Sequence, residues 1–569
     1  IEPADFDFYK KIDVPPPTWC PECRMLRRMV FWNERYFFKK VEKRTGKELI
    51  SMYPPEAPVE IYEREYWFSD AWNPLDYGRE IDWSKPFLAQ FRELQLKVPM
   101  PARHISRSVN SDYSNNAADI KNCYLVFNAD RSEDCMYAVG INGIKNSVAV
   151  FRAEASEMAF ECYAVFNSYQ CYYSSIVVDC RNVWFSYDCH NCSDCFGCVN
   201  LRSKRYCIFN EQYTKEEYEL KLKEMDLGSY ASLMKWQEKF GEHFYKFPRR
   251  FINGLRNVNV SGDAMRNSKN THYSFALNQC EDVKYSQSVL MGAKDSYDYT
   301  NWGNNVELTC ETLSCGEDVS NVKFSKECLG GVSNIEYSMV CSGSSYLFGC
   351  VGLRDKKYCI LNKEYSKEEY EALVPKIKAH MKEMPYVDGL GRVYAYGEFF
   401  PPEFSPFAAD ESALPDFMEI DKETAIKYGL IWRDRKPTEF KITRKASELP
   451  DRISDVSDSI TAEIIGCAEC GKGYRVPAVE FQFLKRLNLP LSRFCPTCRV
   501  RKLILRRNFP KWYPGSCQCA GGGSANGIYT NIGKHAHGET ACGEKFISSY
   551  APNRREIVYC EACYQQEVM

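Results

Sequence analysis

Four pairs of cysteines are separated by two residues: Cys20/Cys23, Cys467/Cys470, Cys495/Cys498 and Cys560/Cys563. Two thiolates at this spacing lie on one tight turn and can grip the same ion, and two such knuckles make a closed tetrahedral Zn2+ site. Cys467-Ala-Glu-Cys470 and Cys495-Pro-Thr-Cys498 have 24 residues and no histidine between them, so they predict a four-cysteine zinc ribbon whose metal is structural. A second cluster holds Cys517, Cys519, Cys542, Cys560 and Cys563, with His535 and His537 in the middle. The tetrad expected there is Cys519, Cys542, Cys560 and Cys563. Cys517 is the alternative to Cys519, because a Cys-x-Cys step is tight for both thiolates to chelate; His535 and His537 are alternative ligands as well, although Cys542 and the terminal knuckle already supply three thiolates.

Residues 1–24 align with residues 476–499 at a constant shift of 475, without gaps. Ile1-Glu-Pro-Ala-Asp5-Phe-Asp-Phe-Tyr-Lys10 leads to Cys20-Pro-Glu-Cys23-Arg24 as Val476-Pro-Ala-Val-Glu480-Phe-Gln-Phe-Leu-Lys485 leads to Cys495-Pro-Thr-Cys498-Arg499. One module is therefore present twice. By this shift Cys20 and Cys23 are half of a site whose other ligands fall upstream of Ile1. The expectation is two complete C-terminal Zn2+ sites and one N-terminal site completed by residues outside the sequence; the alternative is that the first copy has lost its metal.

The elements that position these clusters are repetitive. From about residue 108 to 382, short β-rich segments alternate with Asn, Asp, Ser and Gly, which reads as a solenoid. Cys162, Cys171, Cys180, Cys189, Cys198 and Cys207 fall nine residues apart. Two nine-residue steps are expected to complete one flattened turn, with the cysteines stacked inside as small buried hydrophobes. Cys189-His-Asn-Cys192-Ser-Asp-Cys195-Phe-Gly-Cys198 has the look of an iron–sulfur run. A second copy of this region, Phe196–Tyr218 repeated as Phe348–Tyr370 at a shift of 152, carries Ser344 and Leu347 in place of Cys192 and Cys195, and this favours interior packing. Thr214 with Glu217 and Ser366 with Glu369 have capping-box spacing, so each half should end in a helix that covers its edge.

The predicted fold is mostly β: a duplicated parallel β-solenoid in two halves with capping helices, flanked by N- and C-terminal zinc ribbons. The boundaries read as 1–107 for the half ribbon and an α/β segment, 108–228 and 258–385 for the solenoid halves, and 229–257 for a helical connector. They continue with 386–460 for a Pro- and acid-rich linker, partly extended and able to wrap the solenoid, with one helix signal near Asp421–Gly429. The four-cysteine ribbon with its basic tail occupies 461–515 and the second zinc module 516–569.

The knuckle spacings favour metal over disulfides for the 28 cysteines, and no run of ~18 apolar residues encodes a membrane span, so a cytoplasmic setting is expected. A net charge of −2 gives the whole molecule no bulk attraction for polyanions, which confines any nucleic-acid affinity to local patches. Between Lys485 and Lys511 lie nine basic residues and no acid. Arg499, Arg501, Lys502, Arg506, Arg507 and Lys511, with Trp512 among them, could supply phosphate contacts and a stacking face. The first copy repeats this more weakly through Arg24, Arg27, Arg28, Arg35, Lys39, Lys40, Lys43 and Arg44, diluted by Glu34 and Glu42. The competing reading is a charged seam docking on acidic parts of the same chain.

Phe6-Asp-Phe-Tyr, Trp19-Cys-Pro-Glu-Cys-Arg24, Phe348-Gly-Cys-Val-Gly-Leu-Arg354 and Ile557-Val-Tyr-Cys-Glu-Ala-Cys-Tyr564 together resemble multi-zinc-ribbon, β-solenoid-like proteins of candidate-phyla-radiation (Patescibacteria) bacteria, a family with no settled activity. The resemblance spans nearly the whole chain and implies zinc and a bacterial cytoplasm. This sequence departs from the family at Glu42, Thr45, Glu63 and Tyr66, where members carry further cysteines. Catalysis is not located, since the seven histidines are scattered and no phosphate-binding glycine motif is present. Three functions are expected in order: a zinc protein binding RNA, DNA or the ribosome through its basic ribbons; a scaffold forming homo-oligomers through the solenoid; and a carbohydrate-active solenoid enzyme.

Overall fold

Along both central segments a left-handed residue recurs at every third position. Asn116, Asp119, Asn122, Leu125 and Asn128 all have φ between 51° and 53°. Asn and Asp tolerate this conformation best, which explains their abundance here. Each triplet, two extended residues and one left-handed, turns the chain about a quarter of a circuit, and four triplets close a coil. This computed structural model describes residues 2–434 and 440–568, so Ile1, residues 435–439 of the linker and Met569 lie outside the described residues.

Strand pairing gives the coil length directly. Lys145 lies beside Glu157, Glu157 beside Tyr169, Tyr169 beside Arg181 and Arg181 beside Ser193, all in parallel register and all 12 residues apart. The expected solenoid is present, but the 18-residue turn inferred from nine-residue cysteine spacing is not. Nine residues are three sides of a four-sided coil, so cysteines at that spacing wind around the lumen instead of stacking in a column.

The residue after each left-handed position points inward. Cys162, Val165, Cys171, Val177, Cys180 and Val183 are at most 3% exposed. Four inward side chains share each layer, so the lumen admits mainly small ones. Inward Ser and Cys also satisfy the backbone: the Cys180 amide donates to Ser168 Oγ at 3.0 Å, and Ser168 Oγ donates to the Phe166 carbonyl at 2.8 Å. Cys189, Cys192, Cys195 and Cys198 occupy successive sides, each thiol directed at the carbonyl two residues back, at 3.3–3.6 Å. They belong to the lumen packing.

The second half repeats the design with longer coils. Cys280, Ala293, Val306, Val319 and Val332 are neighbours at 13-residue steps, after which 12-residue steps return. The extra residue sits at a corner where two left-handed residues follow one another, as at Glu317-Asp318 and Gly330-Gly331. Both halves end as expected. A short antiparallel strand folds back on the last coil, and a helix follows, Lys215–Glu224 or Lys367–Glu383, each with a complete capping box. The helix Tyr230–Phe244 connects the halves. They lie against each other through Asn128 and Asn301, whose side chains bond at 3.1 Å, and through Arg266, which covers the Phe166 ring at 3.7 Å. A cavity of about 370 Å3 remains between them, lined in part by Arg107, Arg152, Arg266 and Trp302.

The described parts of the 386–460 segment wrap the solenoid, but much of them is core. Phe399, Phe400, Phe404 and Phe407 are at most 1% exposed and pack with residues of the first module and the second solenoid half. Its helix signal is realised as Lys422–Lys427, capped by Asp421. Among the described residues no helix is long and apolar enough to cross a membrane.

Candidate metal centres

Cys467 follows a short strand, Ile465–Gly466, and Cys495 caps the helix Pro496–Ile504, whose first turn carries Cys498. The Sγ atoms of Cys467, Cys470, Cys495 and Cys498 all lie within 4.8 Å of one another, and Cys470 and Cys495 are 3.7 Å apart. A tetrahedron with Zn–S bonds of ~2.3 Å has edges of ~3.8 Å. The Cys495 amide donates to Cys467 Sγ at 3.3 Å. Burial raises the Cys467 thiol, yet backbone N–H groups of Cys470, Cys495 and Glu469 outweigh it and bring the group down to about 7, favouring the thiolate. The predicted tetrad is thus assembled.

The second tetrad is assembled with one change. Cys517, Cys542, Cys560 and Cys563 converge, with Cys542 and Cys560 3.9 Å apart, so Cys517 and not Cys519 completes it. The Cys560 amide donates to Cys517 Sγ at 3.2 Å, the same contact that Cys495 makes with Cys467. Cys519 faces the other way, into a group with His535, His537 and Cys563. The module is fastened to the connector by strand Ile557–Tyr559, parallel to Pro248–Arg250, and to the first solenoid half by the Tyr564 hydroxyl, which donates to Asp188.

At the N-terminus the Cys23 amide donates to Cys20 Sγ at 3.4 Å, the knuckle geometry, but among the described residues no third His, Cys or carboxylate donor joins them. Glu42 accepts from Thr45 and from the Glu63 amide, and Arg44 covers the Tyr66 ring at 3.8 Å. A hydrogen-bonded carboxylate stands there.

Several of the basic residues form the charged seam offered above as the competing reading. Arg499 is 2% exposed; its guanidinium meets Glu161 at 2.6 Å and Glu480 at 2.5 Å. Arg506 donates to the Glu161 carbonyl and Ser175 Oγ at 3.1 and 3.3 Å, and Arg507, 7% exposed, donates to the Asp416 carbonyl. Arg499 and Arg507 are buried and Arg506 is half-buried, and all three bond to groups of the same chain, as a desolvated guanidinium requires. Arg501, Lys502 and Lys511 stay exposed and Trp512 half-buried, with Lys502 paired to Glu469 at 2.8 Å.

The first copy is docked the same way. Arg24, Arg27 and Arg28 are fully buried against Asp298, Glu311 and Glu398 at 2.6–3.2 Å. The modules are exchanged: the N-terminal copy packs on the second solenoid half, and the later copy packs on the first. Their contacts correspond. Tyr137 donates to Glu480 at 2.8 Å as Tyr285 donates to Asp5 at 2.9 Å, and Glu161 meets Arg499 where Glu311 meets the first copy's arginines. The sequence signal for this seam was the absence of acids near the arginines, whose partners lie elsewhere in the chain. No family model matches this chain, and no curated protein or solved structure does either.

Proposed function

We propose that the protein is a non-catalytic scaffold. Zn2+ held by Cys467, Cys470, Cys495 and Cys498, and by Cys517, Cys542, Cys560 and Cys563, pins its modules to a double solenoid, which offers its outer faces and the cleft between its halves to a partner or to further copies of itself. The observation that carries this reading is the exchanged docking of the two modules through buried Arg–carboxylate contacts. That arrangement directs Arg24, Arg27, Arg28, Arg499 and Arg507 into the molecule. It also weighs against the carbohydrate-enzyme reading, because Asp298 and Glu311, carboxylates on the seam face of the second half, are both occupied by arginine. Nucleic-acid binding is the second reading, supported by the exposed Arg501 and Lys511 beside Trp512.

Purified protein is to be examined by elemental analysis, light scattering and absorbance at 260 nm. At least two zinc ions per chain, in a particle of discrete mass free of nucleic acid, are expected. Absence of zinc overturns the reading. RNA binding that weakens steeply with salt and is lost in the Arg501→Glu/Lys511→Glu variant replaces it with the second.

A further inference from the structure

We infer that the C-terminal module holds two metal ions sharing one thiolate: the Cys517, Cys542, Cys560, Cys563 ion and a second bound by Cys519, His535, His537 and a bridging Cys563. This deepens the zinc reading above and rests on it. Each donor set lies within 4.8 Å internally, and Cys563 belongs to both. His537 Nε2 is 3.3 Å from Cys563 Sγ and His535 Nδ1 is 3.7 Å from Cys519 Sγ. Edges of ~3.6 Å are expected for mixed S/N coordination with bonds of ~2.3 and ~2.05 Å.

The hydrogen bonds around the two rings decide which nitrogens are free. His537 Nδ1 is 2.7 Å from the Thr540 carbonyl, which can only accept, so Nδ1 carries the proton and Nε2 presents a lone pair toward Cys563. His535 Nε2 is 2.7 Å from Glu567 Oε1. Glu567 already accepts from the Tyr529 hydroxyl and the Ile532 and Gly533 amides, so it is an acceptor here too, and His535 Nδ1 is left open toward Cys519. Ligating histidines characteristically give their second nitrogen to a carboxylate or carbonyl. Both do so here, one to each, with the His535 and Glu567 side chains only 2% and 1% exposed.

Cys519 is prepared in the same manner. Asn531 Oδ1 accepts from the Tyr559 hydroxyl at 2.8 Å, which orients the amide so that Nδ2 donates to the Gly521 carbonyl at 2.7 Å and to Cys519 Sγ at 3.1 Å. That bond fixes the direction in which the sulfur faces. The loop that brings Cys519 there needs Gly521, at φ +89°, because a Cβ would stand 2.3 Å from the Glu539 backbone. Charge favours the pair as well: a single ion held by four thiolates leaves a net charge of −2, whereas two Zn2+ with five thiolates and neutral imidazoles leave −1. Both donors are intermediate to soft, which suits Zn2+ and excludes Ca2+ or Mg2+.

Zinc per chain is counted by elemental analysis and native mass spectrometry in the wild type, in Cys467→Ser/Cys470→Ser, in His535→Ala/His537→Ala and in Cys519→Ser. The histidine and Cys519 variants are each expected to lose one ion while keeping the ribbon ion and the all-thiolate ion of the C-terminal module, and the ribbon variant to lose a different one. Co2+ substitution of the wild type, which needs no variant to fold, is expected to show a two-sulfur, two-nitrogen site beside all-sulfur sites. An unchanged zinc count in both the histidine and Cys519 variants, or an all-sulfur cobalt spectrum, overturns the shared-thiolate site and leaves the scaffold reading standing. A wild type without zinc removes both.

Discussion

Glu161 and Arg499 meet at 2.6 Å although 338 residues of chain separate them. The first solenoid half and the later module are therefore joined through a charge pair that spans them. Arg499 holds Glu480 as well, and Glu480 accepts from Tyr137, so strand, module helix and knuckle helix are tied in one small network. Breaking a buried pair by removing one partner is costly, because the other charge is left desolvated.

Glu161→Ala is accordingly expected to destabilise the chain by roughly 3 kcal/mol, and a like change at a solvent-exposed pair such as Lys39–Glu48 to have a much smaller effect. Chemical denaturation monitors both. Equal effects at the two sites would show that the seam is not a special contact.

The coil thiols should be chemically silent in the native state. Burial pushes Cys162 up to about 12 and Cys171 well above the ordinary thiol range, and both are at most 1% exposed. Alkylation at pH 8 followed by peptide mass spectrometry is expected to label exposed Cys20 and to leave Cys162 and Cys171 unmodified until denaturant is added. Cys171→Leu, which forces a larger side chain into a lumen shared by four, is expected to cost about 1–3 kcal/mol.

Glu34 gives the stability curve a defined slope. Burial raises its carboxyl from 4.5 to about 7, and Oε2 has no hydrogen-bond partner. The folded chain then keeps a proton that the unfolded chain releases, so this group's contribution falls as pH rises from about 4.5 to about 7, by roughly 3 kcal/mol in total. Glu34→Gln removes the effect. Its melting temperature is expected to exceed that of the wild type at pH 8 and to match it near pH 4.5, and identical profiles for the two proteins would refute the assignment.

Metal removal should loosen the seam before it unfolds the solenoid. The helix Pro496–Ile504 begins at Cys495 and carries Arg499, so losing the Cys467/Cys470/Cys495/Cys498 ion frees the first turn of the element that holds Glu161. After chelation, hydrogen exchange is expected to accelerate first across residues 495–507 and only later across strands Lys145–Glu154 and Glu157–Phe166. Simultaneous loss of protection would make the ribbon and the solenoid one cooperative unit.

Much of this molecule could be read from residue types at short spacing. The four-cysteine ribbon follows from two knuckles, the capping helices from Thr214-x-x-Glu217 and Ser366-x-x-Glu369, and the module duplication from a gapless match, because each depends on interactions within a few residues or on identity alone. The coil length was also written in the chain, as Cys189-x-x-Cys192-x-x-Cys195-x-x-Cys198. The nine-residue cysteine spacing obscured it, because Ser and Val fill the lumen as well as Cys does.

Other features depended on which distant surfaces meet. A run of arginines reads alike whether it faces phosphate or carboxylate, and only the docking of each module on the opposite solenoid half placed Glu161, Asp298 and Glu311 against them. The choice of Cys517 over Cys519 was likewise made by the fold, since the loop after Cys519 determines which thiol meets Cys542 and which meets the histidines. Local spacing determines what a residue is able to bind, and tertiary packing determines which partner reaches it.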